Sequence, residues 1–120
     1  MSRPMAGAIA LWLAGCAGGG APAAPPVTPC SAATAAATTA VAMVADLMVP
    51  GCIEVPRGAS VEFLNQDPEM HTATTQSGPA AFDLDIPAGT SGLTPPLDGP
   101  AVIVAACTFH PAMQVTIFVR

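Results

Sequence analysis

The chain has no lysine and no tyrosine, and only three arginines among its 120 residues. Charged side chains make up 9% of it, against 52% apolar ones. Each scarcity removes a class of function. Nucleic-acid backbones are gripped by clustered Lys and Arg; with a formal net charge of −5 and no such cluster, nucleic acid is excluded as a partner. Disordered solvating chains are typically highly charged, and this one is not. No nucleophile stands in a pattern with its base, and no glycine-rich loop is placed to cradle a phosphate, so nothing points to an enzyme. There is no internal repeat and no convincing helical stripe. The length suits one domain.

What is present begins with an address. MSRPMAGAIALWLAGC gives one early positive charge at Arg3, an apolar run through Leu13, then small residues before Cys16. This is the layout of a secretory signal, too short to span a bilayer. Its end, Leu13-Ala14-Gly15-Cys16, resembles the lipobox of bacterial lipoproteins. The resemblance implies cleavage of residues 1–15, acylation of Cys16 and tethering to a membrane on the periplasmic side of the cell envelope. The alternative is an ordinary secretory signal with a cysteine nearby. Under either reading the compartment is oxidising and permits disulfides.

Residues 16–39 are Ala, Pro, Gly and Thr with nothing large to bury, and read as a flexible tether. From residue 40 to 120, short apolar runs alternate with turn signals, the pattern of an all-β domain. Val41, Met43, Ala45 and Leu47 are expected on one side of a first strand, broken by Pro50-Gly51. Cys52–Val55, Ser60–Asn65, His71–Gln76, Ala101–Cys107 and Gln114–Val119 read as further strands, while the Pro- and Gly-rich stretch 87–100 argues for loops and short edge segments. Seven to eight strands in so short a domain predict a Greek-key β-sandwich.

The chemistry concentrates in CTFHPAM, residues 107–113. One of four cysteines and one of two histidines sit there beside a methionine, on a tight turn between two strands. Thiolate and thioether are soft donors and imidazole is borderline, a mixture that suits copper; two histidines, a cysteine and a long axial methionine form the blue-copper pattern. The chain has only one other histidine, His71, 36 residues before Cys107. In a sandwich its loop and the 108–112 turn can meet at one end.

With these residues in view, the segment from Val41 to Arg120 resembles the cupredoxins, especially the small plastocyanin/amicyanin-like domains. One block is MVPGCIEVPRGASVEFLNQDPEMHT, residues 48–72, against the family's F-x-P-x-x-I-x-V-x-x-G-x-x-V-x-F-x-N-x-D-x-x-x-H-T run; Met48 stands where the family has an aromatic. The other is the Cys-x₂-His-x₂-Met spacing of CTFHPAM. A further departure is Val102–Ala106, where relatives carry Tyr or Phe. The resemblance implies one copper per chain, with His71, Cys107 and His110 as equatorial ligands and Met113 as the axial one. Asn65, or a backbone carbonyl near it, would brace His71. Thr72 and Thr108 occupy positions where the family links its two ligand loops by hydrogen bonds; the alternative for both is ordinary β-propensity. If Cys16 is acylated and Cys107 binds copper, Cys30 and Cys52 are left to pair, the alternative being two free thiols that help capture copper.

The function implied is transfer of single electrons between redox partners, such as a cytochrome or a copper enzyme, by a monomer. The electron would pass at the edge of His110, within an apolar docking patch of Met70, Phe109, Pro111 and Ala112. The competing reading is a periplasmic carrier or buffer holding Cu(I) for delivery or detoxification. A structural lipoprotein whose site stays empty or takes zinc is the third.

Overall fold

The computed structural model describes residues 29–120. The signal expected over 1–15, the acylation site Cys16 and tether residues 16–28 lie outside the described residues. The described residues form ten strands and no helix: β1 (Ala36–Ala37), β2 (Ala40–Val44), β3 (Leu47–Val49), β4 (Cys52–Val55), β5 (Glu62–Asn65), β6 (His71–Ser77), β7 (Asp83–Ile86), β8 (Ser91–Leu93), β9 (Ala101–Ala106) and β10 (Gln114–Val119). They make a six-stranded sheet in the order β1-β4-β10-β9-β6-β7 and a four-stranded sheet in the order β3-β2-β5-β8. The architecture is an all-β sandwich.

Period-two alternation in the strands creates the layers. In β10, Val115, Ile117 and Val119 are buried while Gln114 faces water. Val41, Met43, Met48 and Phe63 from the smaller sheet meet Ile53, Val55, Ala73, Ile86, Ile103, Val115 and Ile117 from the larger one in a single core. Phe63 and Phe82 supply its aromatic contact, with ring centroids 6.3 Å apart. Gly78 closes β6 because only glycine fits there. Its φ is +106°, and a Cβ would meet the Val102 carbonyl oxygen at 2.6 Å.

Three expectations change. The domain does not start at residue 40: Ala36 and Ala37 pair in parallel with Ile53 and Glu54, and Cys30 is bonded to Cys52. A disulfide and backbone pairing hold a stretch whose small side chains could not anchor it alone. The expected first strand is a hairpin: β2 and β3 pair antiparallel, Val44 against Leu47, around Ala45 and Asp46. Both turn residues have positive φ, +52° and +56°, as a two-residue hairpin turn of the twisted type requires. Leu47 therefore points outward, 55% exposed, and Met48 goes in. The strand count rises to ten because β1 and the split hairpin add to the expected set, and because β7 forms between residues 77 and 87, where no strand was expected; β8 is one of the short segments expected within 87–100.

Register fixes where the chemistry can sit. β6 begins with His71, β9 ends at Ala106 just before Cys107, and β10 starts at Gln114 just after Met113. Gln114 pairs with Ala106, so the 107–113 turn caps one end of the β9–β10 ladder. That end is called the metal end below.

Candidate metal centre

The 107–113 turn is closed by its own backbone. Cys107 N–H donates to the Met113 carbonyl (3.0 Å), Met113 N–H to the His110 carbonyl (2.8 Å), and His110 N–H to the Cys107 carbonyl (3.3 Å). Cys, His and Met are thus placed at successive steps of one tight turn. Met113 is fully buried at its foot, and Cys107 is 1% exposed. The strand ladder β6–β9 brings His71, itself fully buried, alongside.

Three donor atoms converge. Cys107 Sγ lies 3.7 Å from His71 Nδ1 and 3.9 Å from His110 Nδ1. The three ligand atoms lie within 4.8 Å of one another, with His71 and Cys107 buried and His110 partly so. Two imidazole nitrogens and a thiolate at ordinary first-row bond lengths, about 2.0 Å to nitrogen and 2.3 Å to sulfur, would stand roughly 3.7 Å from nitrogen to sulfur in a trigonal set. The observed separations, 3.7 and 3.9 Å, lie close to that value, so the donors fit a soft or borderline metal.

The electrostatics agree. Burial pushes the Cys107 thiol up, but the Thr72 N–H, the His110 ring, the Phe109 N–H and the His71 ring together outweigh it and bring the thiol down from 9.0 to about 6. A metal-binding cysteine must be deprotonated, and here the surroundings already favour the thiolate. His110 is raised, chiefly by its contact with Cys107, with burial opposing and Asp46 and Glu69 adding. For His71, burial is the largest influence and lowers the value, yet the hydrogen bond to Asp67 and the contacts with Cys107 win and raise it.

The bracing of His71 differs from the expectation. Asn65 makes no hydrogen bond to the imidazole. Its amide Nδ2 donates to the carbonyls of Glu69 (2.7 Å) and Ile86 (2.9 Å), and its Oδ1 accepts the Asp67 N–H (2.9 Å), so it is consumed in shaping the loop before His71. The partner of His71 is the Asp67 carboxylate, 2.7 Å from Nε2. That hydrogen bond, followed by the Asp46 N–H, lowers the Asp67 pKa. Metal-binding histidines usually donate their second N–H to such a group. The available signal was the acidic residue four positions before His71, inside the N-x-D-x-x-x-H run.

Thr72 and Thr108 are joined. Thr72 Oγ1 accepts the Thr108 N–H at 2.9 Å, and the two hydroxyls lie 3.2 Å apart. Thr74 Oγ1 donates to Thr72 Oγ1 at 3.1 Å, and the Thr72 N–H points at Cys107 Sγ at 3.4 Å. One buried side chain therefore ties the strand carrying His71 to the turn carrying Cys107 and His110.

At the surface His110 is one-third exposed. Phe109 (60%) and Met70 (44%) stand out in water, as do Pro111 and Ala112. Asp46 Oδ1 is 3.9 Å from His110 Nε2, and the Glu69 carboxylate joins the same cluster. Both described arginines lie away from it: β4 and β10 run in parallel, so Arg57, after β4, and Arg120, after β10, fall at the opposite end, where Arg120 pairs with Glu54 at 3.2 Å. Cys30 and Cys52 form a disulfide with Cα atoms 5.6 Å apart, and Cys107 is the one free thiol among the described residues.

The sequence matches no family model and no curated relative. Among solved structures, the chain superposes on the purple cupredoxin from Nitrosopumilus maritimus with a TM-score of 0.61 at 18% identity, over 69% of this chain and 100% of that one. An amicyanin variant in its oxidised form gives 0.61 at 17% identity, over 76% and 90%. A Cu-containing nitrite reductase from Thermus scotoductus SA-01 gives 0.62 at 26% identity over 83% of this chain, which spans 24% of the reductase. The protein has the cupredoxin fold.

Proposed function

We propose that this chain is a type 1 copper protein that carries single electrons between redox partners outside the cytoplasm. The observation that carries this reading is the convergence of His71, Cys107 and His110, whose two imidazole nitrogens lie 3.7 and 3.9 Å from the Cys107 sulfur, with His71 and Cys107 buried. The solved structures of like fold include copper proteins by name, which supports the same metal. Bound copper would supply a one-electron couple. His71, Cys107 and His110 would hold it, with Met113, buried at the foot of the same turn, as the fourth donor. Four protein donors leave no open position for a substrate, so the chain acts as a carrier of electrons and not as an enzyme.

The remaining residues keep the ligands still and admit the electron. The Thr72–Thr108 clasp fixes the spacing of the two ligand segments, so little need move between oxidation states. His110 gives the one partly exposed imidazole edge, and Phe109, Pro111, Ala112 and Met70 around it offer the small apolar contact that transient redox complexes use. Asp46 and Glu69 beside it, with the described arginines at the other end, favour a partner with a basic face, such as a cytochrome or a copper enzyme. The Leu13–Cys16 pattern favours an acylated, membrane-tethered protein in the cell envelope, and the Cys30–Cys52 bridge suits that oxidising compartment.

One observation favours a second reading, a copper carrier: the exposure of His110 gives an ion a way out. Repeated reduction and reoxidation of the copper-loaded protein in the presence of a Cu(I) chelator separates the two. Retention of the metal over many cycles supports electron transfer; loss to the chelator on the first reduction supports the carrier and sinks the electron-transfer role.

A further inference from the structure

The Asp67 side chain does more than meet one histidine. Its Oδ2 lies 2.7 Å from His71 Nε2 and accepts the Asp46 N–H at 3.1 Å, while its Oδ1 accepts the Ala45 N–H at 2.8 Å. An ionised carboxylate has no proton to give, so every one of these contacts requires a donor on the other side. Ala45 and Asp46 supply theirs only because both sit in the left-handed region, an uncommon state for residues other than glycine. Asp67 thus joins the hairpin tip of the smaller sheet to the first residue of a strand in the larger one. Asn65 aims it, by accepting its N–H and holding the loop through Glu69.

We propose that Asp67 is the positioning residue that decides which nitrogen His71 offers to the metal, and that the same carboxylate locks the Ala45–Asp46 tip against the site. The acceptor on Nε2 forces the proton there, which leaves the Nδ1 lone pair free on the side of Cys107 Sγ, 3.7 Å away. Among the described residues two groups compete with it and both are longer: Asp46 Oδ1 is 3.7 Å from Nε2, beyond hydrogen-bond range, and Cys107 Sγ, the one acceptor facing Nδ1, is 3.7 Å from that nitrogen, against 2.7 Å for the Asp67 contact. The Asp67 side chain is only 10% exposed, so its charge is weakly screened. A negative group one imidazole away from the metal favours the more highly charged, oxidised state. Asp67 therefore lowers the reduction potential while it orients the ring.

The inference rests on the copper reading for its potential but not for its tautomer, and the test keeps the two apart. In the metal-free protein in alkaline buffer, ¹⁵N NMR should show His71 as a single Nε2–H tautomer, and Asp67→Ala should populate the Nδ1–H form and exchange the Ala45 and Asp46 amides at least tenfold faster. In the copper-loaded protein, Asp67→Asn keeps the shape and one acceptor but removes the charge. It should shift the Cu(II)/Cu(I) affinity ratio toward Cu(I) by at least tenfold, in the range such outer partners command, a rise of about 59 mV for one electron. A wild-type His71 already mixed in tautomer, or one unmoved in Asp67→Ala, would overturn the positioning role. An unchanged potential in Asp67→Asn would overturn the charge effect. Should Asp67→Ala fail to fold, the tautomer is read in Asp67→Asn, whose weaker acceptor should also admit the second form. Wild-type protein that takes up no copper would sink the proposed function alone, because the tautomer and amide readouts still decide the role of Asp67.

Discussion

Replacing Thr72 by valine removes one oxygen and adds one methyl at a side chain that is 3% exposed. That oxygen accepts from the Thr108 N–H (2.9 Å) and from Thr74 Oγ1 (3.1 Å), and it faces Thr108 Oγ1 (3.2 Å). The contributions are separable. Thr74 keeps a second acceptor, Asp83 Oδ1 at 2.8 Å, so its loss is small. The Thr108 hydroxyl belongs to an exposed residue and can turn to water. The Thr108 N–H is the group left stranded, and an unsatisfied donor of this kind costs about 1–3 kcal/mol. We expect Thr72→Val to destabilise the metal-free protein by about 2 kcal/mol, a fall in Tm of roughly 8–16 °C for a domain of this size. Thr108→Ala leaves the backbone clasp intact and should cost no more than about 0.5 kcal/mol, as surface changes do. The assay is urea denaturation followed by circular dichroism, read as a shift of midpoint at constant slope. Equal, small effects of the two substitutions would refute the claim that Thr72 clasps the ligand segments through the Thr108 N–H.

Other outcomes follow from the same geometry. In the metal-free protein the ultraviolet absorbance of the Cys107 thiolate should titrate with a midpoint near pH 6, well below the ordinary 9.0. Between those values the native state is deprotonated and the unfolded thiol is not, so this group's stabilising contribution is complete above pH 9 and is lost as the pH falls through 6; a midpoint at or above pH 8 would contradict the described surroundings of the sulfur. Joint replacement of Cys30 and Cys52 by serine opens a bridge spanning 22 residues in sequence and should cost about 3 kcal/mol. Because the bridge lies in the β1–β4 edge and not among the ligands, the spectrum of the loaded double variant should match the wild type; a changed spectrum would show that the edge does shape the site.

How much of this could be read without coordinates depends on the range of the interaction. His71, Cys107 and His110 could be singled out because rare donor types stood at a ligand spacing, and because a sandwich can bring their two segments to one end. The alternation of β10 was plain from Val115, Ile117 and Val119. The hairpin at Ala45–Asp46 was not, since alanine carries no turn signal. Its left-handed turn is held by a carboxylate 22 and 21 residues away, which no local window contains. The bracing of His71, expected from Asn65 or a backbone carbonyl near it and supplied by Asp67, was hidden for a related reason. Asn65 ends β5 and Asp67 follows two residues on, and only the folded chain shows that the amide is spent on Glu69 and Ile86 while the carboxylate reaches the imidazole. Likewise β1, made of two alanines, owes its place to a partner strand and a disulfide and not to its own composition.

The central claim is that His71, Cys107 and His110 hold copper through a thiolate bond, and the visible spectrum of the protein titrated with Cu(II) tests it most directly. The account predicts an intense blue to violet charge-transfer band that saturates at one copper per chain, bleaches on reduction, returns on reoxidation and is lost in Cys107→Ser. Stoichiometric binding without such a band, or a band that survives Cys107→Ser, would contradict it.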